Sequence, residues 1–167
     1  KDANPRTYDS IGRTALHWAA RTGKLELAKA LLSHGAQPNA HMVQNWPQLP
    51  GALGDWSRTD FAGATPFLLA AKIPNLTMMR LLVAGGADPN IPAFDRTTPL
   101  MLIAGVGRQE GGVTRLVSED ILIPAANYVI ELGNDVNAVN LLGYTAAHGA
   151  AANGADQVIQ LLARKGA

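Results

Sequence analysis

Apolar residues along this chain gather in short runs, and each run opens with a threonine. The four runs read Thr14-Ala15-Leu16-His17-Trp18-Ala19-Ala20, Thr65-Pro66-Phe67-Leu68-Leu69-Ala70-Ala71, Thr98-Pro99-Leu100-Met101-Leu102-Ile103-Ala104 and Thr145-Ala146-Ala147-His148-Gly149-Ala150-Ala151. A second pattern follows each run. It reads Leu31-Leu32-Ser33-His34-Gly35-Ala36-Gln37-Pro38-Asn39, then Leu82-Val83-Ala84-Gly85-Gly86-Ala87-Asp88-Pro89-Asn90, then Val129-Ile130-Glu131-Leu132-Gly133-Asn134-Asp135-Val136-Asn137. The fourth copy reads Leu162-Ala163-Arg164-Lys165-Gly166-Ala167. Such self-similarity decides the whole fold and is weighed before any single element.

The pattern predicts two short helices per copy. Thr14, Thr65, Thr98 and Thr145 stand where a side-chain oxygen can cap orphan backbone amides. Pro66 and Pro99 follow at the first helical position, which proline tolerates. The inner helix is short and rich in alanine, so it can approach its neighbours closely. The outer helix is apolar at Leu27, Ala30 and Leu31 in the first copy. Gly35, Gly86, Gly133 and Gly166 then supply a left-handed C-terminal cap. A tail ending in asparagine leads into an extended turn before the next threonine.

These residues resemble the ankyrin repeat, with its Thr-Pro-Leu-His run and its Leu-Leu, Gly-Ala-Asp and Asn tail. The resemblance covers about Asp9 to Ala167 and implies an all-α repeat solenoid of helix-turn-helix repeats joined by short β-turn fingers. It implies that His17 and His148 hydrogen-bond between neighbouring repeats. Two departures stand out. Arg96 occupies the finger position held by Gly12, Gly63 and Gly143, and Leu68 and Met101 replace the motif histidine.

Spacing locates two insertions. Thr14 to Asn39 and Thr65 to Asn90 both span 25 positions, whereas Thr98 to Asn137 spans 39. Asn90 to Thr98 and Asn137 to Thr145 span 8, whereas Asn39 to Thr65 spans 26. The excess is 18 residues in the first finger connection and 14 between the helices of the third copy. The chain therefore divides as one domain, 1–167, with repeats at about 9–40, 60–91, 93–138 and 140–167. The finger insertion covers about 40–60 and the second insertion about 105–120. The segment Gly107 to Gly112 is expected as a flexible loop. Ser118-Glu119-Asp120 reads as a helix start, with acids in the first turn. Pro124 either kinks that longer outer helix or marks its true beginning. Ala3-Asn4-Pro5 is expected as the remnant of a preceding tail, and the chain as a fragment of a longer array. The combination also resembles a group of bacterial multi-repeat ankyrin proteins.

Composition then excludes function classes. Fourteen Lys and Arg face thirteen Asp and Glu, without a block of like charge. That balance argues against a nucleic-acid footprint or a polybasic membrane anchor. Cysteine is absent, which removes disulfides, thiolate nucleophiles and cysteine-ligated zinc. The same absence leaves the compartment open. No run approaches the roughly 18 apolar residues of a membrane helix.

Candidate chemistry is sparse. The four histidines show no metal-ligand spacing. His34 suits an outer-helix C-terminus, and His41 alone is free of a motif role. Glu110, Glu119 and Asp120 fit a solvated loop or helix start better than an acid–base pair. Gly107 to Gly112 lacks the Gly-Lys-Ser/Thr ending of a phosphate loop. Neither a catalytic residue nor a cofactor is therefore assigned, and the chain is read as a non-enzyme. Trp18 falls in the inner-helix run and reads as core. Trp46 and Trp56 lie in the long finger, where they either fold back or meet a partner.

The resemblance places a binding face on the finger tips and inner helices. It gives Ser10, Ile11, Arg13, Arg21 and Thr22 in copy one, and Phe61, Ala64, Lys72 and Ile73 in copy two. Copy three contributes Phe94, Asp95, Thr97 and Gly105, and copy four Leu141, Leu142, Tyr144 and Asn153. Phe61, Phe94 and Tyr144, with Trp46 and Trp56, are the expected hot spots. Few charges interrupt this surface, which suits a protein partner better than a polyanion. The function expected is a protein-interaction scaffold. A small-molecule or enzymatic site on the insertions, a structural spacer, and self-association through the end repeats are the alternatives.

Overall fold

A computed structural model describes residues 4–9, 12–43, 62–107, 109–110, 113–114 and 117–167. Eight helices appear among them: α1 (Ala15–Thr22), α2 (Leu25–Ser33), α3 (Pro66–Lys72), α4 (Leu76–Ala84), α5 (Pro99–Ala104), α6 (Glu119–Glu131), α7 (Ala146–Ala152) and α8 (Asp156–Arg164). They form an all-α repeat solenoid. The inner helices α1, α3, α5 and α7 stack in one layer, and the outer helices α2, α4, α6 and α8 in a second. The caps act as their residue types dictate. Thr65, Thr98 and Thr145 accept from the amides of Leu68, Met101 and His148.

Small side chains let the inner helices approach. Ala19, Ala20, Ala70, Ala71, Ala104 and Ala150 are fully buried. Between α5 and α7 even alanine is too large: a β-carbon at Gly149 would lie 2.7 Å from the Val106 amide nitrogen. Phe67, Met78, Met79 and Leu82 fill the wider space between the layers. In α2 the buried residue is Ala28, flanked by partly buried Leu25, Leu31 and Leu32. Leu27 and Ala30, read as apolar-face positions, point outward.

Polar bonds repeat with the helices. The Asn39 side chain donates to the Gly86 carbonyl, that of Asn90 to Leu132, and that of Asn137 to Gly166. Arg6 Nε makes the equivalent bond to the Gly35 carbonyl at 3.1 Å. The Arg6 amide turns back onto Asn4 as the Asn90 amide does onto Asp88, so residues 4–6 take the shape of a repeat tail.

His17 is buried at the first joint. Its Nδ1 accepts from the Thr14 amide and hydroxyl, which leaves Nε2 to donate to the Ala64 carbonyl of the next repeat at 3.1 Å. Burial pushes its pKa from 6.5 to about 4, against the raising effect of the carbonyls it meets.

The second insertion contains a short antiparallel pair, β1 (Gln109–Glu110) with β2 (Val113–Thr114), rather than loop alone. α6 has 13 residues where α2, α4 and α8 have 9. It starts at Glu119 and runs through Pro124, so Pro124 is not its beginning. The added turn has a use across the repeat boundary. Glu119 Oε1 accepts from the amides of Gln157 and Val158 at 2.6 and 3.2 Å. Those are the second and third residues of α8, whose own N-cap, Ala155, has no side-chain acceptor.

Two outcomes follow. Between pH 6.5 and 4 the unfolded chain takes up a proton at His17 that the folded chain refuses, so stability falls with pH, by on the order of 3 kcal/mol. Denaturant titrations should show that slope in the parent and a shallower one in His17→Leu; equal slopes would refute the assignment. Glu119→Ala should lose about 1 kcal/mol and speed hydrogen exchange at residues 157 and 158, while Glu119→Gln keeps most of the cap.

Candidate interaction surface

Each finger closes on two backbone bonds. The Asp9 amide meets the Arg13 carbonyl, Ala93 meets Thr97, and Asn140 meets Tyr144, in each case four residues apart. In the long finger the closing pair is Met42 and Ala64, 22 residues apart. The 18 additional residues thus enter beyond an ordinary finger base. Ile11, Trp46, Trp56 and Phe61 lie outside the described residues.

The fingers are tied to one another. The Phe94 amide donates to the Ala62 carbonyl at 3.0 Å, and that of Leu141 to Asp95 at 2.8 Å. The Phe94 ring lies against Gly63, which has φ +82°; a β-carbon there would collide with the ring. His41 stacks on the same ring, 6.0 Å between ring centres, and its Nδ1 bonds the Gly63 carbonyl. Its role is thus within the finger. His148 repeats the Thr14–His17 contact with Thr145 and meets Tyr144 edge-on. His34 bonds the Ala30 carbonyl at the end of α2.

Fingers three and four present a joined apolar surface. Phe94 is 60% exposed, Leu141 64% and Tyr144 47%, and Leu142 and Val139 are exposed beside them. Asp95 is drawn into its own finger instead. Its Oδ1 accepts from the Thr97 amide and its Oδ2 from the Thr97 hydroxyl, which in turn accepts from Asn140.

The first copy differs from expectation. Trp18 is 40% exposed rather than core. The buried side of α1 carries Leu16, Ala19 and Ala20, and two residues on from Leu16 the helix has turned by about 200°. The Arg13 guanidinium lies 4.4 Å from the Trp18 ring centre while its Nε pairs with Asp9 at 2.6 Å. Arg21 is exposed and Lys72 half-buried, and both are engaged in contacts of their own.

Arg96, noted above as the departure from the finger glycine, was not among the expected contact residues. It is exposed with φ +64°, and no other described non-glycine residue has a positive φ. For a side chain with a β-carbon that conformation costs on the order of 1 kcal/mol. The glycine–arginine replacement in an otherwise regular finger was the sequence signal for it.

No group of three or more metal-ligating side chains occurs among the described residues. An open groove of about 400 Å³ runs between Ile73–Leu76 and Asp120–Pro124. Its one carboxylate, Asp120, accepts from the Ser118 hydroxyl. No helix among the described residues is long and apolar enough to cross a membrane.

Comparison with known proteins adds sequence kinship. A family model described as "Ankyrin repeat" matches residues 11–42, and one described as "Ankyrin repeats (3 copies)" matches 67–167. Neurogenic locus notch homolog protein 1 of Xenopus laevis is 32% identical over 156 residues, and that of Homo sapiens 33%. Each alignment covers 92% of this chain and 5% of the relative. The BTB/POZ domain and ankyrin repeat-containing protein BOP of Lupinus luteus is 35% identical over 89 residues, 53% of this chain and 15% of the relative. The chain thus spans a small part of these proteins.

Proposed function

The chain belongs to the ankyrin-repeat family, and on that premise we propose that it binds a protein partner through the tips of fingers three and four. Ankyrin repeats are generally protein–protein interaction scaffolds and typically non-enzymatic. The observation that carries the finer reading is the exposure of Phe94, Leu141, Leu142 and Tyr144 on two fingers locked to one another by backbone. Large apolar side chains on a rigid surface contribute affinity without an ordering cost at binding. Aromatic residues are also what interfaces concentrate relative to the remaining surface. The long finger adds specificity next to this patch, because its base abuts Phe94 through Gly63 and His41.

Affinity capture followed by titration with each purified partner tests the face. The triple variant Phe94→Ala, Leu141→Ala, Tyr144→Ala should bind at least about tenfold more weakly. Its helical signal and thermal midpoint should stay near the parent's, since all three side chains are largely exposed. Unchanged affinity in a folded triple variant would remove these fingers from the interface.

A further inference from the structure

We propose that Arg96 is the specificity residue of this face and that the partner segment it accepts carries a carboxylate among apolar side chains. This rests on the finger-tip reading above. Arg96 lies two residues from Phe94 in the third finger, and the carbonyl of the intervening Asp95 accepts from Leu141 of the fourth. Among the described finger tips Ala62–Gly63, Phe94–Arg96 and Leu141–Gly143, only Asp95 and Arg96 are charged. Asp95 turns both carboxylate oxygens onto Thr97, within its own finger. Arg96 makes no ion pair; the ion pairs among the described residues are Arg13–Asp9 and Lys29–Glu26. Among these described finger tips the outward charge is therefore the Arg96 guanidinium, with apolar side chains on either side.

The backbone gives an independent reason to look there. The equivalent turn position is glycine in the other three fingers, at φ +80°, +82° and +81°. Arg96 holds the same left-handed turn with a side chain that makes no hydrogen bond or ion pair among the described residues. Strain at an exposed residue without an internal partner points to a use outside the chain. Guanidinium is suited to that use, because it pairs with carboxylate through two parallel bonds and is weakly hydrated beside apolar groups. A neighbouring apolar contact excludes water and strengthens the pair.

Selection of random short peptides on the immobilised chain tests this, with Arg96→Gly and the triple alanine variant as comparison surfaces. Peptides enriched on the parent should hold Asp or Glu beside Leu, Phe or Trp. They should bind Arg96→Gly about tenfold more weakly, and that difference should shrink as salt rises. The same Arg96→Gly protein should have a higher denaturation midpoint than the parent, because glycine relieves the turn. Weaker binding by a more stable variant is an outcome that a merely structural arginine cannot produce. Peptides that need Phe94, Leu141 and Tyr144 but lack acidic bias, or bind Arg96→Gly equally, overturn the arginine assignment and leave the face standing. Peptides indifferent to the triple variant, or no enrichment at all, count against both.

Discussion

The stacking of inner helix on inner helix is the interaction from which the rest of the structure follows. A helix of six to eight residues cannot persist alone in water, because nucleation is unfavourable and few bonds repay it. It persists here because alanines at the contact bring neighbouring backbones close, so that each helix buries its face on the next. Close approach also fixes the spacing of everything attached to the helices. Fingers come within backbone hydrogen-bond distance of one another, and asparagine tails reach the end of the following outer helix. Gly149 shows how narrow the tolerance is, since the last inner interface excludes even a methyl group.

Polar groups then hold the register that apolar contact alone would leave loose. His17, Asn134 and Asn140 are all buried, and each joins two repeats. Asn134 donates to the Pro89 carbonyl and to Asn90 while accepting the Leu100 amide, which ties the second tail to the start of α5. A buried amide with its bonds satisfied stabilises one alignment, and a slipped alignment would leave it unpaired.

Legibility in the sequence followed the directness of the link between residue type and backbone need. Threonine caps, proline at the first helical position and glycine in left-handed turns are local requirements, and they were readable copy by copy. The insertion lengths were readable as well, because the regular spacings supply a ruler. Trp18 was not, since no period selects a face within so short a helix and the polar member of the run, His17, is itself buried. Leu27 was misread although the period is present: Leu25, Ala28, Leu31 and Leu32 recur at helical spacing and leave Leu27 on the exposed side. Glu119 could be read as a first-turn acid, but its target lies 38 residues away and depends on a helix one turn longer than its counterparts. The Asp95–Thr97 bonds were not legible either, because an acid in a finger looks alike in sequence whether it faces solvent or its own turn.

The closed base of the long finger has a consequence for how such a chain can change. Met42 and Ala64 pair as neighbours four apart do elsewhere, so the base of the finger keeps its geometry at a separation of 22 residues. The entropy of closing a flexible loop rises only with the logarithm of its length, about 0.6 kcal/mol for each doubling. A base closed by its own backbone pair therefore does not demand one length of chain beyond it. The finger tip is a graft point: recognition can diversify there by insertion and deletion, a faster route than substitution within the packed layers.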